Sequence, residues 1–459
     1  MPGPFAQVAV VGGGWSGIAA AVELALGGCS PALFEAAPAL GGRARAVRLS
    51  LAGTEITVDN GQHLLLGAYR ECLRLIATVN GAQPPAMQRA RLRLESVDGL
   101  SLVPWRLPAP LHLAGALLAA RGLGLRERAA LVALLAGLRR RQWRVPAGET
   151  VAALLARTGQ PASLRARLWN PLVVAALNTG AEHACAQTFA NVLRDSLGAS
   201  AAACDFVLAD PDLTQLLPAP AERWLHANGA TLHLRTTVRA VRPDAGGWRL
   251  DTTRGEFAAG ALVLALPPYA AARLIEGEAS RATAAQRRTI DALQGFRYDS
   301  IATVYLAWPA RAPLSLPRWV MLDETAGDEC WGQWLFDRGE RNGLRVAAVV
   351  VSARGRLDAI DPARLARGIA RQVRTQLDTP EPADARTVVD KRATFRCTPE
   401  RPRLRPDSLG APGFALAGDF AYPEYPATLE AAVRSGVEAA RVVLRHLRPA
   451  RPSVAPGGA

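Results

Sequence analysis

The chain has 459 residues, 49% hydrophobic and 20% charged, enough for two domains or one large composite domain with a real core. Its formal charge of +14 is carried almost wholly by arginine, because Lys391 is the only lysine. No basic block is interleaved with aromatics, which sets nucleic-acid binding aside but leaves attraction to an anionic membrane surface open. Cys29, Cys72, Cys185, Cys204, Cys330 and Cys397 are scattered without CxxC or metal-ligand spacing, so no metal and no disulfide framework is expected, and a reduced cytoplasmic setting fits. An apolar strand is expected to open within the first ten residues, and on that reading no signal peptide is expected. The longest apolar or glycine stretch near a helix, 129–138, falls far short of the ~20 residues a membrane span needs, so a soluble or peripheral protein is expected.

In chain order, 7–11 reads as a strand, 18–25 as a small-residue helix and 31–35 as a second strand, a β-α-β unit. Residues 85–215 read as mostly helical, broken at Pro104, Pro108, Pro146, Pro161 and Pro171. Strands are expected at 231–242, 248–253 and 261–266. Further strands at 300–308 and 345–352 are expected to floor a pocket. An amphipathic helix follows at 362–377, a last buried strand at 414–417 and a last helix at 428–447. The Pro/Gly-rich tail 448–459 reads as disordered.

Between the first strand and helix lies GGGWSG, residues 12–17. Gly12 permits a tight turn, Gly14 lets the backbone approach a pyrophosphate and Gly17 lets the helix pack on the strand. Trp15 and Ser16 complete the turn at the positive helix end. Glu35 closes the second strand at the ~20-residue distance where an acid bonds the ribose of a dinucleotide. Next comes LGGRA, residues 40–44, in which Gly42 brings backbone close to a ligand and Arg43 neutralises phosphate. This segment resembles the GGR element of the flavin amine oxidase and carotenoid desaturase superfamily. Near the end, Gly418 and Asp419 follow the last strand, and Ala427, Thr428 and Leu429 open the last helix. There the aspartate can accept a bond from a ribityl chain, and the helix start offers a second dipole. Three motifs in this order point to FAD.

Residues 58–67, VDNGQHLLLG, carry the candidate chemistry. In the superfamily this stretch passes the flavin ring, so Asn60, Gly61 and Gln62 are assigned to the cofactor. His63, with Gln62, is the catalytic candidate, to protonate a leaving group or stabilise a flavin anion. Asp59 and Asn60 are equally able to order the loop. The ALPP segment, 265–268, and Val238 match the superfamily elements that close the flavin domain and meet the adenine.

As a whole the sequence resembles the squalene-associated FAD-dependent desaturase family, the hydroxysqualene dehydroxylases. The resemblance rests on VDNGQHLLLG, on WNPLVVAALNT at 169–179, on KRATFRCTP at 391–399 and on YPATLEAAVRSG at 425–436. Gly180 departs from the proline expected after ALNT. The fold implied is α/β: a Rossmann-type FAD-binding domain with an inserted α+β substrate domain. Residues 1–84, 215–275 and 400–447 are assigned to the first, and 85–214 and 276–399 to the second. The implied reaction is reductive removal of an allylic hydroxyl from hydroxysqualene, in a tunnel walled by Trp169, Leu172, Val173, Leu177, Phe189, Trp331 and Trp334.

Apolar stretches 111–118 and 129–138, with Arg139, Arg140, Arg141 and Trp143 behind them, suit a helix lying on a membrane. A peripheral position on the inner face of the cytoplasmic membrane is expected. The electron donor is unassigned, since no second nucleotide fingerprint is present. An amine oxidase is disfavoured because Lys391 lies too close to the closing strand. A polyene desaturase or other flavin oxidase and a non-catalytic flavin-containing lipid binder stand as alternatives.

Overall fold

The computed structural model describes residues 6–107, 111–276, 282–325, 327, 329–353 and 357–447. A seven-stranded sheet forms around strand Gly255–Leu264. Its parallel part runs Thr231–His233, Pro31–Phe34, Ala6–Val11, Gly255–Leu264, Phe414–Leu416, and Gly247–Thr252 and Val238–Asp244 extend it antiparallel. Val8, Val10, Leu33, Leu262 and Leu264 are completely buried, as strands covered on both faces require.

Two long helices cover one face. Helix Trp15–Leu26 begins immediately after Gly14, three residues earlier than its apolar run indicates. The first turn carries Ser16 and Gly17, which a periodicity search reads as loop. Helix Leu429–Leu447 lies against it, with Gly436 at the crossing. A Cβ at Gly436 would stand 2.1 Å from the Ser16 carbonyl oxygen. The two helices therefore approach to backbone contact.

The second sheet is antiparallel, in the order Trp319–Met321, Trp334–Arg341, Leu344–Ser352, Tyr298–Pro309, Asp384–Phe395. Alternation divides its faces. Val304, Leu306, Val349 and Leu335 pack beneath helix Pro362–Leu377, through Leu365, Ile369 and Val373. Ile301, Trp334, Phe336 and Val350 face the opposite way and line a cavity.

Several expectations are corrected. The segment 231–242 is two strands, split where Arg235 takes a left-handed φ of 52°, so one half joins the parallel sheet and the other the antiparallel edge. Within 85–215, strands Met87–Ala90, Leu94–Glu95, Ser101–Leu102 and Phe206–Ala209 interrupt the helices. Met87–Ala90 pairs with Phe206–Ala209, a partner too distant in sequence to be read locally. Pro171 does not break its helix. A π-turn over Arg165–Trp169 leads into helix Asn170–Leu177 and accommodates the missing N–H of Pro171. Pro108 and the tail 448–459 lie outside the described residues. Trp143 does not stand free as an interfacial anchor: it is half-buried and its ring packs over Gly198.

The helix crossing gives a direct test. Gly436→Ala is expected to lower unfolding stability in urea by about 1–3 kcal/mol, because overpacking at a backbone contact forces the helices apart. An unchanged midpoint would show that the crossing tolerates a methyl group.

Candidate active site beside a dinucleotide cradle

The cradle is made where two glycine turns touch. Gly12 has φ 105°, and a Cβ there would lie 2.3 Å from the carbonyl oxygen of Ala265, in the ALPP segment. Gly41 donates its N–H to the Gly13 carbonyl at 2.8 Å, and a Cβ on Gly42 (φ 62°) would come 3.0 Å from the Gly14 Cα. Glu35 accepts from the N–H groups of Gly13 and Ala37, each at 2.7 Å. Thr236 N–H reaches the Glu35 carbonyl at 2.9 Å, which sets buried Val238 two residues away. The Trp15 indole donates to the Ala44 carbonyl at 3.0 Å and ties the helix start to the second glycine turn.

Arg43 and Asp419, 376 residues apart, form an ion pair at 2.8 Å, and Arg43 also donates to the Ala393 carbonyl at 2.7 Å. Asn60 donates its amide to the Arg43 carbonyl at 3.1 Å, so the loop that carries His63 is fastened to the cradle. Ser435, which the sequence pattern does not reveal, accepts from Gly418 N–H at 2.9 Å, and Thr428 caps the last helix by accepting from Ala431 N–H at 3.2 Å. Glu430 acts away from the cradle. Fully buried, it accepts from the N–H groups of Glu71 and Cys72 at the start of helix Arg70–Asn80 and pairs with Arg434 at 2.7 Å. Glycine backbone, two helix N-termini, one cation and one carboxylate acceptor fit an anionic dinucleotide. The fit is steric as well, since side chains at Gly12 or Gly42 would collide with backbone.

The loop after strand Thr54–Asp59 is held from both sides. Asp59 accepts from Leu213 N–H at 2.8 Å, faces Arg338 at 3.5 Å, and its carbonyl accepts from Tyr305 OH at 2.7 Å. Gln62 N–H reaches the Thr303 hydroxyl at 3.3 Å. The Nδ1 of His63 lies 3.1 Å from the Gly61 carbonyl. Burial holds the His63 pKa below the usual imidazole value, against the opposing pull of Asp59 and of the bond to Gly61. A neutral ring that donates Nδ1–H to Gly61 leaves Nε2 as an acceptor, not an acid.

That nitrogen belongs to a residue lining a largely apolar cavity of about 320 Å³. Leu172, Leu177, Phe189 and Trp334 line it, and so do Gln62, Ala427, Thr428 and Leu429. Trp169 and Val173 do not. Trp169 is buried, donates to Gln160 at 2.9 Å and meets Phe189 edge-on, while Val173 is in the core behind it. Trp331 lies on the far face of the second sheet, under the Arg364 guanidinium, because it points toward helix Pro362–Leu377. Sequence reasoning missed Asn178, Thr394, Tyr425 and Asp195, all in the cavity wall, with the Tyr425 hydroxyl bonded to Asp195. Asn178, Thr394 and Tyr425 lie inside the family segments quoted above, which was the available signal. Lys391 is exposed and outside the wall.

Asp419→Ala removes the partner of Arg43 and an acceptor of the cradle. FAD affinity of the purified protein is expected to fall about 10- to 100-fold, the scale of one charge-assisted bond. Unchanged flavin content after dialysis would contradict this.

Comparison with known proteins agrees with the cradle. The model of the family described as flavin containing amine oxidoreductase matches residues 15–444. A hydroxysqualene dehydroxylase of Sinorhizobium fredii is 30% identical over 95% of this chain and 98% of the relative. Enzymes of the same name from Rhodopseudomonas palustris and Zymomonas mobilis are 29% and 25% identical, each over 95% of this chain, with 98% and 99% of the relatives covered. Cyclohexylamine oxidase from Brevibacterium oxydans superposes with a TM-score of 0.68 at 17% identity, over 97% of this chain and all of that one. A reduced UDP-galactopyranose mutase reaches 0.66 at 13% identity, over 96% and 94% of the two chains, so the fold by itself does not select a reaction. With the family model spanning nearly the whole sequence, the chain belongs to the flavin containing amine oxidoreductases and is an FAD-dependent oxidoreductase.

Proposed function

We propose that the enzyme replaces the allylic hydroxyl of a long isoprenoid alcohol, hydroxysqualene, with hydrogen. The observation that carries this reading is the cavity: apolar along its length, with Gln62, His63, Asn178 and Thr394 supplying polar groups beside the cradle. The full-length similarity to three hydroxysqualene dehydroxylases supports it.

In this reaction the C–O bond breaks and a new C–H bond forms: the carbon takes a hydride, and the oxygen takes one proton from solvent and leaves as water. Reduced FAD, when bound, supplies the hydride. The chain shelters the developing allylic cation between Leu172, Phe189 and Trp334 of the apolar wall. Neutral His63 orients the alcohol by accepting its O–H at Nε2. Under anaerobic conditions, flavin-reduced enzyme given hydroxysqualene is expected to reoxidise and release stoichiometric squalene. His63→Ala is expected to keep FAD but slow this by about tenfold, the scale of one lost orienting hydrogen bond. A flavin that stays reduced over untouched alcohol, with oxidised enzyme acting on squalene-type polyenes, would move the assignment to a desaturase. A protein inert in both directions would be a lipid binder.

We also infer peripheral contact with the anionic inner face of the cytoplasmic membrane. No described helix is long and apolar enough to cross a bilayer. Helices Leu111–Leu118 and Leu125–Arg140 leave Leu118 74% and Leu125 84% exposed, with Trp105, Leu111 and Val132 also bare and Arg106, Arg121 and Arg126 exposed among them. Apolar side chains fringed by arginine suit a lipid headgroup layer. The holoenzyme is expected to sediment with anionic vesicles more than with zwitterionic ones, and the L118D/L125D variant to stay in the supernatant. Equal sedimentation of both proteins would overturn the inference.

A further inference from the structure

We propose that the Thr394 hydroxyl is the hydrogen-bond donor that grips the substrate oxygen, and that Asn178 aims it; this deepens the dehydroxylation reading and rests on it.

The argument begins with a forced orientation. Asn178 ends helix Asn170–Leu177 in a left-handed conformation, φ 47°, and is buried. The backbone N–H of Ala353 lies 3.2 Å from its Oδ1. A backbone N–H only donates, so the amide oxygen must face Ala353 and the amide nitrogen must face the other way. That nitrogen lies 2.6 Å from the Thr394 Oγ1. An amide NH₂ also only donates, so Thr394 is the acceptor in that bond, and its own proton must go elsewhere. No acceptor for it is found among the described residues, and Thr394 lines the cavity. A hydroxyl donor fixed in an apolar wall is costly to leave unmade and is satisfied by an oxygen on the ligand.

Its position fits the chemistry. Ala393, the preceding residue of strand Asp384–Phe395, gives its carbonyl to Arg43 of the cradle. Thr394, which lines the cavity, is thus one residue along the strand from the Arg43–Asp419 ion pair's anchor. Both residues line the cavity, and donation from Thr394 with acceptance by His63 Nε2 suits an alcohol, which offers one proton and two lone pairs. The donor also stabilises negative charge on the oxygen as the C–O bond lengthens. Once the oxygen has left as water, the hydrocarbon product leaves Thr394 unpaired. The site thus prefers substrate to product.

The test is the ratio of two affinities. Hydroxysqualene and squalene are titrated into the oxidised holoenzyme in the same detergent micelles and followed by the flavin absorbance change. The wild type is expected to favour the alcohol. Thr394→Val, which keeps the shape, is expected to weaken alcohol binding about tenfold, near the 1.4 kcal/mol of one hydrogen bond, and to leave squalene binding unchanged. Thr394→Ser is expected to restore the preference. Asn178→Ala is expected to weaken it in the wild type and to add nothing further in the Thr394→Val background, because it acts through that hydroxyl. A Thr394→Val enzyme that keeps the wild-type ratio overturns this inference alone. A wild type that neither prefers nor turns over the alcohol overturns the dehydroxylation reading with it.

Discussion

The structure depends on backbone meeting backbone without side chains between. Gly12 against Ala265, Gly42 against Gly14 and Gly436 against Ser16 are three such approaches, and they converge on one helix start. The unpaired N–H groups of that first turn are costly in a protein interior unless an anion answers them. The same closeness that admits a phosphate thus binds the first forty residues to the last forty. Arg43 and Asp419 repeat the connection with opposite charges.

From this fixed cradle the rest of the site is positioned by short links. Asn60 ties the His63 loop to Arg43, Tyr305 and Thr303 support the loop from the second sheet, and Ala393 links that sheet back to Arg43. The cavity is then what remains between the cradle, the second sheet and the helical insert. Its walls are apolar because the strands present one alternating face to helix Pro362–Leu377 and the other to the void. Its few polar groups are held by neighbours that dictate which atom faces inward. His63 is turned by the Gly61 carbonyl, and Thr394 by Asn178.

Much of this was legible in the residues. The glycine turns, Glu35, Arg43 and Asp419 are recognisable because their chemistry demands particular residue types at particular spacings. The four family segments at 58–67, 169–179, 391–399 and 425–436 each contribute to the wall of one cavity, although nothing in their spacing places them together. What stayed hidden depends on direction and distance. Trp169, Trp331 and Trp334 are alike in sequence, and only the packing decides that the first is core, the second belongs to the opposite face and the third lines the cavity. Asn178 reads as a loop residue because its role arises from Ala353 and Thr394, far along the chain. Pairing of Met87–Ala90 with Phe206–Ala209 is invisible for the same reason.

The late arrival of strand Phe414–Leu416 has a consequence for how the protein is made. Its partner, Leu262–Leu264, is synthesised about 150 residues earlier and keeps a bare edge on that side until then. At ~5–20 residues per second, translation leaves that edge open for about 8–30 s. Ser435, Gly436 and Asp419 emerge later still, so a nascent chain holds only half a cradle. Flavin capture is therefore an act of the finished polypeptide, and the interval before it is when the exposed edge is most open to pairing with another molecule.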